Sequence, residues 1–202
     1  MKERPILFSA PMVRALLDGR KTQTRRVVKL PIIDKDFCCE LSGGNLAASE
    51  RDIWRHSPYG QPGDRLWVKE TFSPNKVLPL CDRPAGEYIY RADLNAAGVT
   101  KWSAQWKPSI FCPRAASRIA LDITAVRVER LQDITRDDAA AEGPPEIPLY
   151  QTPGQIEAMI NGFGCASTLD YIGGYRQLWE NINGSGSWAA NPWVWVVEFK
   201  RL

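Results

Sequence analysis

"SRIALDITAVRVERL", residues 117–131, is the longest strand signal in the chain and decides the expected fold. Polar and apolar residues alternate in its first half, and one face carries Ile119, Leu121 and Ile123. The apolar set then shifts to Val126 and Val128. Because a one-residue slip exchanges the two faces of a strand, we expect a β-bulge or sharp bend near Thr124 and Ala125. Small closed barrels use such bends, so this stretch favours a barrel.

The other predicted elements are short and surround this strand. "NPWVWVVEFKRL", residues 191–202, has apolar residues on both faces and predicts a central, covered strand. Further strands are predicted at residues 5–9, 65–69 and 87–92, and helices at residues 10–18, 135–142 and 171–182. In the second helix Thr135 is the expected N-cap, and Gly143 is the expected stop.

These elements predict a single α+β domain over residues 1–202. The strands are not regularly separated by helices, so we expect a small β-barrel with flanking short helices and not a βαβ sheet. Residues at about 30–60 and 144–167 show no clear periodicity and are interpreted as insertions. We also expect a Pro-rich loop over residues 73–86.

Composition excludes several classes of protein. The net charge of the 202-residue chain is only +3, so an anionic partner would have to meet a local basic patch. Five cysteines at irregular spacing, without a signal peptide, favour a reducing, cytoplasmic location, and no apolar run predicts a membrane span. The spacing disfavours a zinc site built from Cys38, Cys39, His56 and Cys81, so we expect no metal and no cofactor.

A basic patch does occur in "LLDGRKTQTRRVV", residues 16–28. We expect its segment "RKTQTRR", residues 20–26, to be a loop that leaves the first helix and leads into a strand that begins in "RRVVK". Arginine forks and threonine hydroxyls suit phosphate oxygens, so the stretch favours a nucleotide or anion site over a plain exposed loop. Its cations are Arg20, Lys21, Arg25 and Arg26, interleaved with Thr22, Gln23 and Thr24.

Three residues are candidates for chemistry. Lys21 could act as a base towards the Thr24 hydroxyl if burial or the neighbouring arginines lower the pKa of its amine. Glu142 is expected at a helix C-terminus, where the helix dipole disfavours an anion and so suits a proton donor. The plainer alternatives are an ordinary loop or strand threonine and a surface glutamate.

Four stretches together resemble the ASCH domain proteins of the PUA-like superfamily, especially the longer type common in phages and prophages. They are "ILFSAPMVRALLDGRKTQTRRVV", "YGQPGDRLWVKETF", "ASRIALDITAVRVERLQDIT" and "NPWVWVVEFKRL". The G-x-K-x-x-x-R signature is moderately specific alone, and the P-G-D-x-L-x-V strand after it makes the resemblance stronger. The resemblance implies a small β-barrel and a cleft for a nucleotide or modified base.

The resemblance also implies roles for individual residues. A short bacterial relative is an amidohydrolase that deacetylates N4-acetylcytidine with a lysine base, a threonine nucleophile and a glutamate donor. Lys21 and Thr24 match its "GRKTxTxR" motif, and Glu142 matches its "T-x-x-x-A-x-x-E" pattern. Because this chain is nearly twice as long as that relative, its insertions could change the substrate.

Two other functions stay open at this point. A non-catalytic RNA-binding module would contact nucleotides or RNA through Arg20, Thr22, Arg25, Arg26, Arg65 and Trp67. A ribonuclease is the third hypothesis, although with a single histidine, His56, it would have to use Lys and Glu. The expected partner is a nucleoside or RNA, without a membrane or a required protein partner.

Overall fold

The computed structural model describes residues 1–29, 56–74, 88–94, 105–143 and 171–202. Seven strands and four α-helices lie in these ranges. In chain order they are β1 (Glu3–Leu7), α1 (Ala10–Leu17), β2 (Gln23–Val27), β3 (Arg65–Lys69), β4 (Phe72–Pro74), β5 (Tyr88–Tyr90), α2 (Arg91–Leu94), β6 (Ala120–Arg130), α3 (Arg136–Ala141), α4 (Tyr171–Asn183) and β7 (Trp193–Arg201). Short 3₁₀ turns occupy Ser109–Phe111, Arg114–Ala116 and Leu131–Asp133.

Five strands form the main sheet in the order β1-β3-β6-β7-β2, and β4 pairs with β5 in a separate ribbon. β1 runs parallel to β3, and the other neighbours in the main sheet are antiparallel. The predicted α+β class is confirmed. The closed barrel is not found, because β1 and β2 stand at opposite ends of the hydrogen-bonded order within the described part of the chain.

The two long strands behave as their patterns predict. The register between β6 and β7 shifts between Ile123 and Ala125, which confirms the expected bulge. β7 lies between β6 and β2, and the four consecutive residues from Val194 to Val197 are buried, which confirms a central strand covered on both faces. Apolar residues on both faces of β7 give the sheet two cores.

Helices cover the two faces of the sheet. On one face α1 packs through Val13 and Leu16 against a cluster that contains Phe199 of β7. On the other face Val194 and Val196 pack with residues of α3 and α4, among them Ala139, Tyr175 and Trp179. The end of β2 and the ends of α1, α3 and α4 therefore lie around one edge of the sheet.

Two loop predictions need correction. The basic stretch is a loop only as far as Thr22, because Gln23–Val27 pair with β7 as strand β2. The Pro-rich loop begins later than expected, because Ser73 and Pro74 belong to β4, and its remainder lies outside the described residues. Residues 30–55 and 144–167 of the predicted insertions also lie outside the described residues.

Candidate active site

The end of α3 lies next to the segment that precedes β2, and this places Glu142 close to Lys21. The Asp138 backbone N–H donates to Thr135 Oγ1 at 3.2 Å, so Thr135 is the N-cap that the sequence predicts. Glu142 is the C-cap residue, and Gly143 follows with φ of 67°. The Thr22 N–H donates to the Ala141 carbonyl at 2.9 Å and joins the two segments directly.

This close approach depends on the missing side chain at Gly143. A Cβ at that position would lie 2.9 Å from Ala15 Cβ and 3.0 Å from Lys21 Cβ. The positive φ also favours glycine over any residue with a Cβ. Gly143 therefore lets the helix end where Glu142 can reach Lys21.

Lys21 and Glu142 form a buried pair. Lys21 Nζ donates to Glu142 Oε2 at 2.8 Å and to the Glu142 carbonyl at 2.9 Å, and the exposed fraction of the side chain is 0% for Lys21 and 2% for Glu142. Burial lowers the pKa of Lys21; the Glu142 carboxylate opposes this shift, and the charges of Arg26 and Arg25 add to it. The structure therefore places the amine where loss of a proton is easier than in water.

Arg25 holds the other side of the Glu142 carboxylate. Its guanidinium lies 3.3 Å from Glu142 Oε1, 2.5 Å from Glu129 Oε1 and 3.3 Å from Asp138 Oδ2, and its side chain is fully buried. The half-buried Arg127 in turn pairs with Glu129 and Asp138. A buried charge needs such partners to offset its desolvation, so this network fixes the carboxylate of Glu142 in place.

Thr24 lies in β2, opposite Val197 of β7, and is 3% exposed. It lines the same cavity as Glu142 and Arg25. No hydrogen bond joins the Thr24 hydroxyl to Lys21 or to Glu142, all three being described residues. The nucleophile candidate is therefore beside the acid candidate, with its oxygen not engaged by either partner.

The cavity lies between β2 and α4 and has a volume of about 400 Å³, including space open to solvent. Polar side chains from β2, α3 and α4 face an apolar wall, and the lining residues are Met12, Thr24, Arg25, Arg26, Val27, Glu142, Tyr175, Leu178, Trp179, Ile182 and Asn183.

The predicted binding residues divide into two groups. Arg25 and Arg26 line the cavity, and Arg26 also donates to the Leu7 carbonyl at 2.6 Å. Arg20 and Thr22 are exposed on the segment before β2, where Arg20 pairs with Asp18.

Arg65 and Trp67 lie on β3, away from this cavity. Arg65 pairs with Asp122 of β6, and the Trp67 ring lies beside the cations of Lys69 and Arg114. Thr24, Arg25, Arg26 and Glu142 therefore line one cavity, whereas Lys21 does not line it and is connected to it through Glu142. Arg65 and Trp67 are not part of this group.

The sequence-based prediction missed Tyr175 and Trp179 as cavity residues, because apolar residues at helical spacing are typical of the core-facing side of a helix. Both are indeed buried in the second core, at 3% and 4% exposed. It also missed Glu129 and Asp138 as partners of Arg25. No local signal predicts these ion pairs, since the partners are more than 100 residues apart along the chain.

Two further findings concern metal binding and membrane-spanning helices. Across the described ranges, no cluster of three or more His, Cys, Asp and Glu side chains is suited to hold a metal ion. Within the same ranges, no helix combines the length and apolar character needed to cross a membrane. Of the weighed zinc ligands, Cys38, Cys39 and Cys81 lie outside the described residues.

Comparisons with known proteins give no assignment. No protein-family model, no curated protein and no solved structure matches the chain. The resemblance to ASCH domain proteins therefore stays a prediction, and the argument for a function rests on the geometry of the cavity.

Proposed function

We propose that the protein is an ASCH-type amide hydrolase that acts on an acylated nucleobase or nucleoside such as N4-acetylcytidine. Lys21 is the base, Thr24 the nucleophile and Glu142 the proton donor. The observation that carries the proposal is the buried pair of Lys21 and Glu142, at 2.8 Å, whose carboxylate lines the same cavity as Thr24. These three residues come from two segments that are more than 100 residues apart.

The pair contains a proton that can move between its two members. As an ion pair, Lys21 cannot accept a proton and Glu142 cannot donate one. Transfer of one proton from Nζ to Oε2 gives a neutral amine and a neutral acid, and the lowered pKa of Lys21 favours this transfer. The competent form therefore arises within the site without uptake of a proton from solvent.

Acylation then restores the ion pair. Lys21 takes the hydroxyl proton while Thr24 Oγ1 attacks the acyl carbonyl carbon, and Glu142 protonates the exocyclic amine as the C–N bond breaks. The products of this half are the free base, an acyl ester on Thr24, and the Lys21–Glu142 ion pair seen in the structure.

Deacylation reverses the proton movements. Glu142 takes a proton from a water molecule that attacks the ester, and Lys21 returns its extra proton to Thr24 Oγ1 as the ester breaks. The carboxylic acid leaves, and the neutral pair is regenerated. Arg25 has a positioning role in this scheme, because its guanidinium is occupied by three carboxylates.

The test is release of cytidine from N4-acetylcytidine, followed by chromatography. The wild type is expected to release cytidine, and Thr24→Ala is expected to lose activity by roughly 10⁴-fold or more, as for other covalent nucleophiles. Thr22→Ala is the matched control, since Thr22 is an exposed threonine of the same motif. Full activity in Thr24→Ala, or no turnover by the wild type, would contradict the proposal.

Non-catalytic RNA binding is the second candidate. It is supported by the exposed Arg20 and Thr22, and by the partly exposed Trp67 beside the cations of Lys69 and Arg114. If it is right, a single-stranded RNA should bind with an affinity that falls steeply with salt, and Arg20→Ala should weaken binding while the cavity variants do not.

A further inference from the structure

Trp179 and Tyr175 line the cavity, and Trp179 carries a buried side-chain donor without a partner among the described residues. Trp179 Nε1 is buried and makes no hydrogen bond. Tyr175 is 3% exposed, and its hydroxyl makes no hydrogen bond to any described residue, but unlike Trp179 Nε1 it is not a fully buried atom without a partner. Because a buried donor without a partner is energetically unfavourable, Trp179 Nε1 calls for a ligand or another explanation.

The helix places both donors on one side. Tyr175 and Trp179 are four residues apart in α4, so their side chains are neighbours on the same face. Their rings lie 6.2 Å apart between centroids, and Trp188 packs edge-on against Tyr175 at 6.2 Å. This aromatic packing holds the Tyr175 ring in place.

Among the other polar groups around the cavity, Arg25 Nε and Arg26 Nε also lack a partner among the described residues, but both guanidinium groups are held through their other nitrogens. Glu142 and Arg25 bond to each other, Arg26 donates to the Leu7 carbonyl, and Asn183 Nδ2 donates to the Trp179 carbonyl at 3.1 Å. In the proposed mechanism the carbonyl oxygen gains negative charge when Thr24 attacks. No residue has yet been assigned to stabilise that charge. Fixed donors at that oxygen are a major source of rate enhancement in acyl transfer.

We propose that Tyr175 Oη and Trp179 Nε1 are the donor pair that binds the carbonyl oxygen of the acyl group as it becomes an oxyanion. This inference rests on the proposed function. Burial, and then the negative charge of Glu142, raises the pKa of Tyr175 well above its ordinary value, so the phenol keeps the proton it must donate. The preferred substrate is then a planar amide whose carbonyl faces α4.

Tyr175→Phe is the sharpest variant, because it removes the hydroxyl and keeps the ring. We expect kcat for N4-acetylcytidine to fall on the order of 10²–10³-fold with KM little changed, as for loss of one oxyanion donor. Trp179→Phe should lower kcat as well. Tyr171→Phe is the matched control, since Tyr171 belongs to the same packed region but does not line the cavity.

A binding measurement separates this role from ordinary substrate binding. Calorimetry with N4-acetylcytidine should give similar affinities for Thr24→Ala and for Thr24→Ala/Tyr175→Phe, because the oxyanion is absent in the ground state. Loss of that affinity, or a rise in KM without a fall in kcat, would overturn the inference. Equal turnover by wild type and Tyr175→Phe would overturn the inference alone, whereas a wild type that releases no cytidine would overturn the proposed function and this inference with it.

Discussion

Two buried glutamates in this molecule invite comparison. Glu70 is 1% exposed, and both of its oxygens accept from Arg118, at 2.9 and 3.1 Å. Glu142 is 2% exposed and accepts from Lys21 and Arg25. By burial and pairing alone the two sites are nearly the same.

The difference lies in what surrounds each pair. Glu70 faces one arginine fork, which also pairs with Asp93, so its partner is a permanent cation that does not give up a proton. Glu142 shares a hydrogen bond with an amine of lowered pKa, and it lines a cavity with Thr24. Burial and pairing are therefore common to both glutamates and do not identify a reactive site. The features that distinguish Glu142 are a partner that can give up a proton and an adjoining cavity.

Substitution of each glutamate by glutamine tests this difference most strongly. Glu142→Gln removes the proton donor, so we expect turnover of N4-acetylcytidine to fall by roughly 10²–10⁴-fold. Glu70→Gln should retain turnover near that of the wild type, because Glu70 does not line the cavity. Thermal unfolding of both variants serves as the control for folding. Equal losses of turnover in the two folded variants would show that the distinction drawn here is wrong.

Local parts of this arrangement are predictable from sequence, and the long-range parts are not. The Thr135 cap and the bulge near Ala125 follow from capping and period-2 patterns, which involve neighbouring residues. Residue type and position make Lys21, Thr24 and Glu142 candidates for chemistry, and the family resemblance adds their matching spacing and roles. The burial of Arg25 depends on its register in β2 and on carboxylates more than 100 residues away, which no local pattern encodes.

The fold, too, is predictable from sequence only in its local parts. Alternation predicts the strands, but it does not specify that β1 pairs in parallel with β3. The expected barrel followed from the bend in β6, yet that bend is compatible with the open order of the described strands. The spacing of Tyr175 and Trp179 predicts a helix, but it does not reveal that the buried donor of Trp179 lacks a partner among the described residues.

Gly143→Ala tests, through the free energy of unfolding, the close approach of the end of α3 to Lys21. The added Cβ would collide with Ala15 and Lys21 and would require a left-handed backbone, so the free energy of unfolding should fall by about 1–3 kcal/mol. Gly19→Ala is the matched control, because Gly19 has a similar φ of 74° and nothing within 4 Å of its added Cβ. Denaturant unfolding should show the larger loss for Gly143→Ala. Equal losses would mean that the close approach to Lys21 contributes nothing beyond backbone strain.

The smallest expected effect is the pH dependence that Glu70 contributes. Burial raises the pKa of Glu70, although Arg118 opposes the shift. Between the ordinary glutamate pKa of about 4.3 and the higher folded value, the folded chain keeps a proton that the unfolded chain has lost. The free energy of unfolding of the wild type, relative to Glu70→Gln, should therefore decrease as pH rises through this window. A difference that stays flat or increases in denaturant titrations would contradict this placement of Glu70.

The most direct test of the central claim is to look for the acyl group on the protein. Wild type, Thr24→Ala and Thr22→Ala are mixed with N4-acetylcytidine, quenched rapidly in acid and digested for mass spectrometry. The account predicts the added mass of one acetyl group on Thr24 in the wild type and in Thr22→Ala, and its absence in Thr24→Ala. Cytidine release by the wild type with no acetylated Thr24, and with full turnover in Thr24→Ala, would contradict the account.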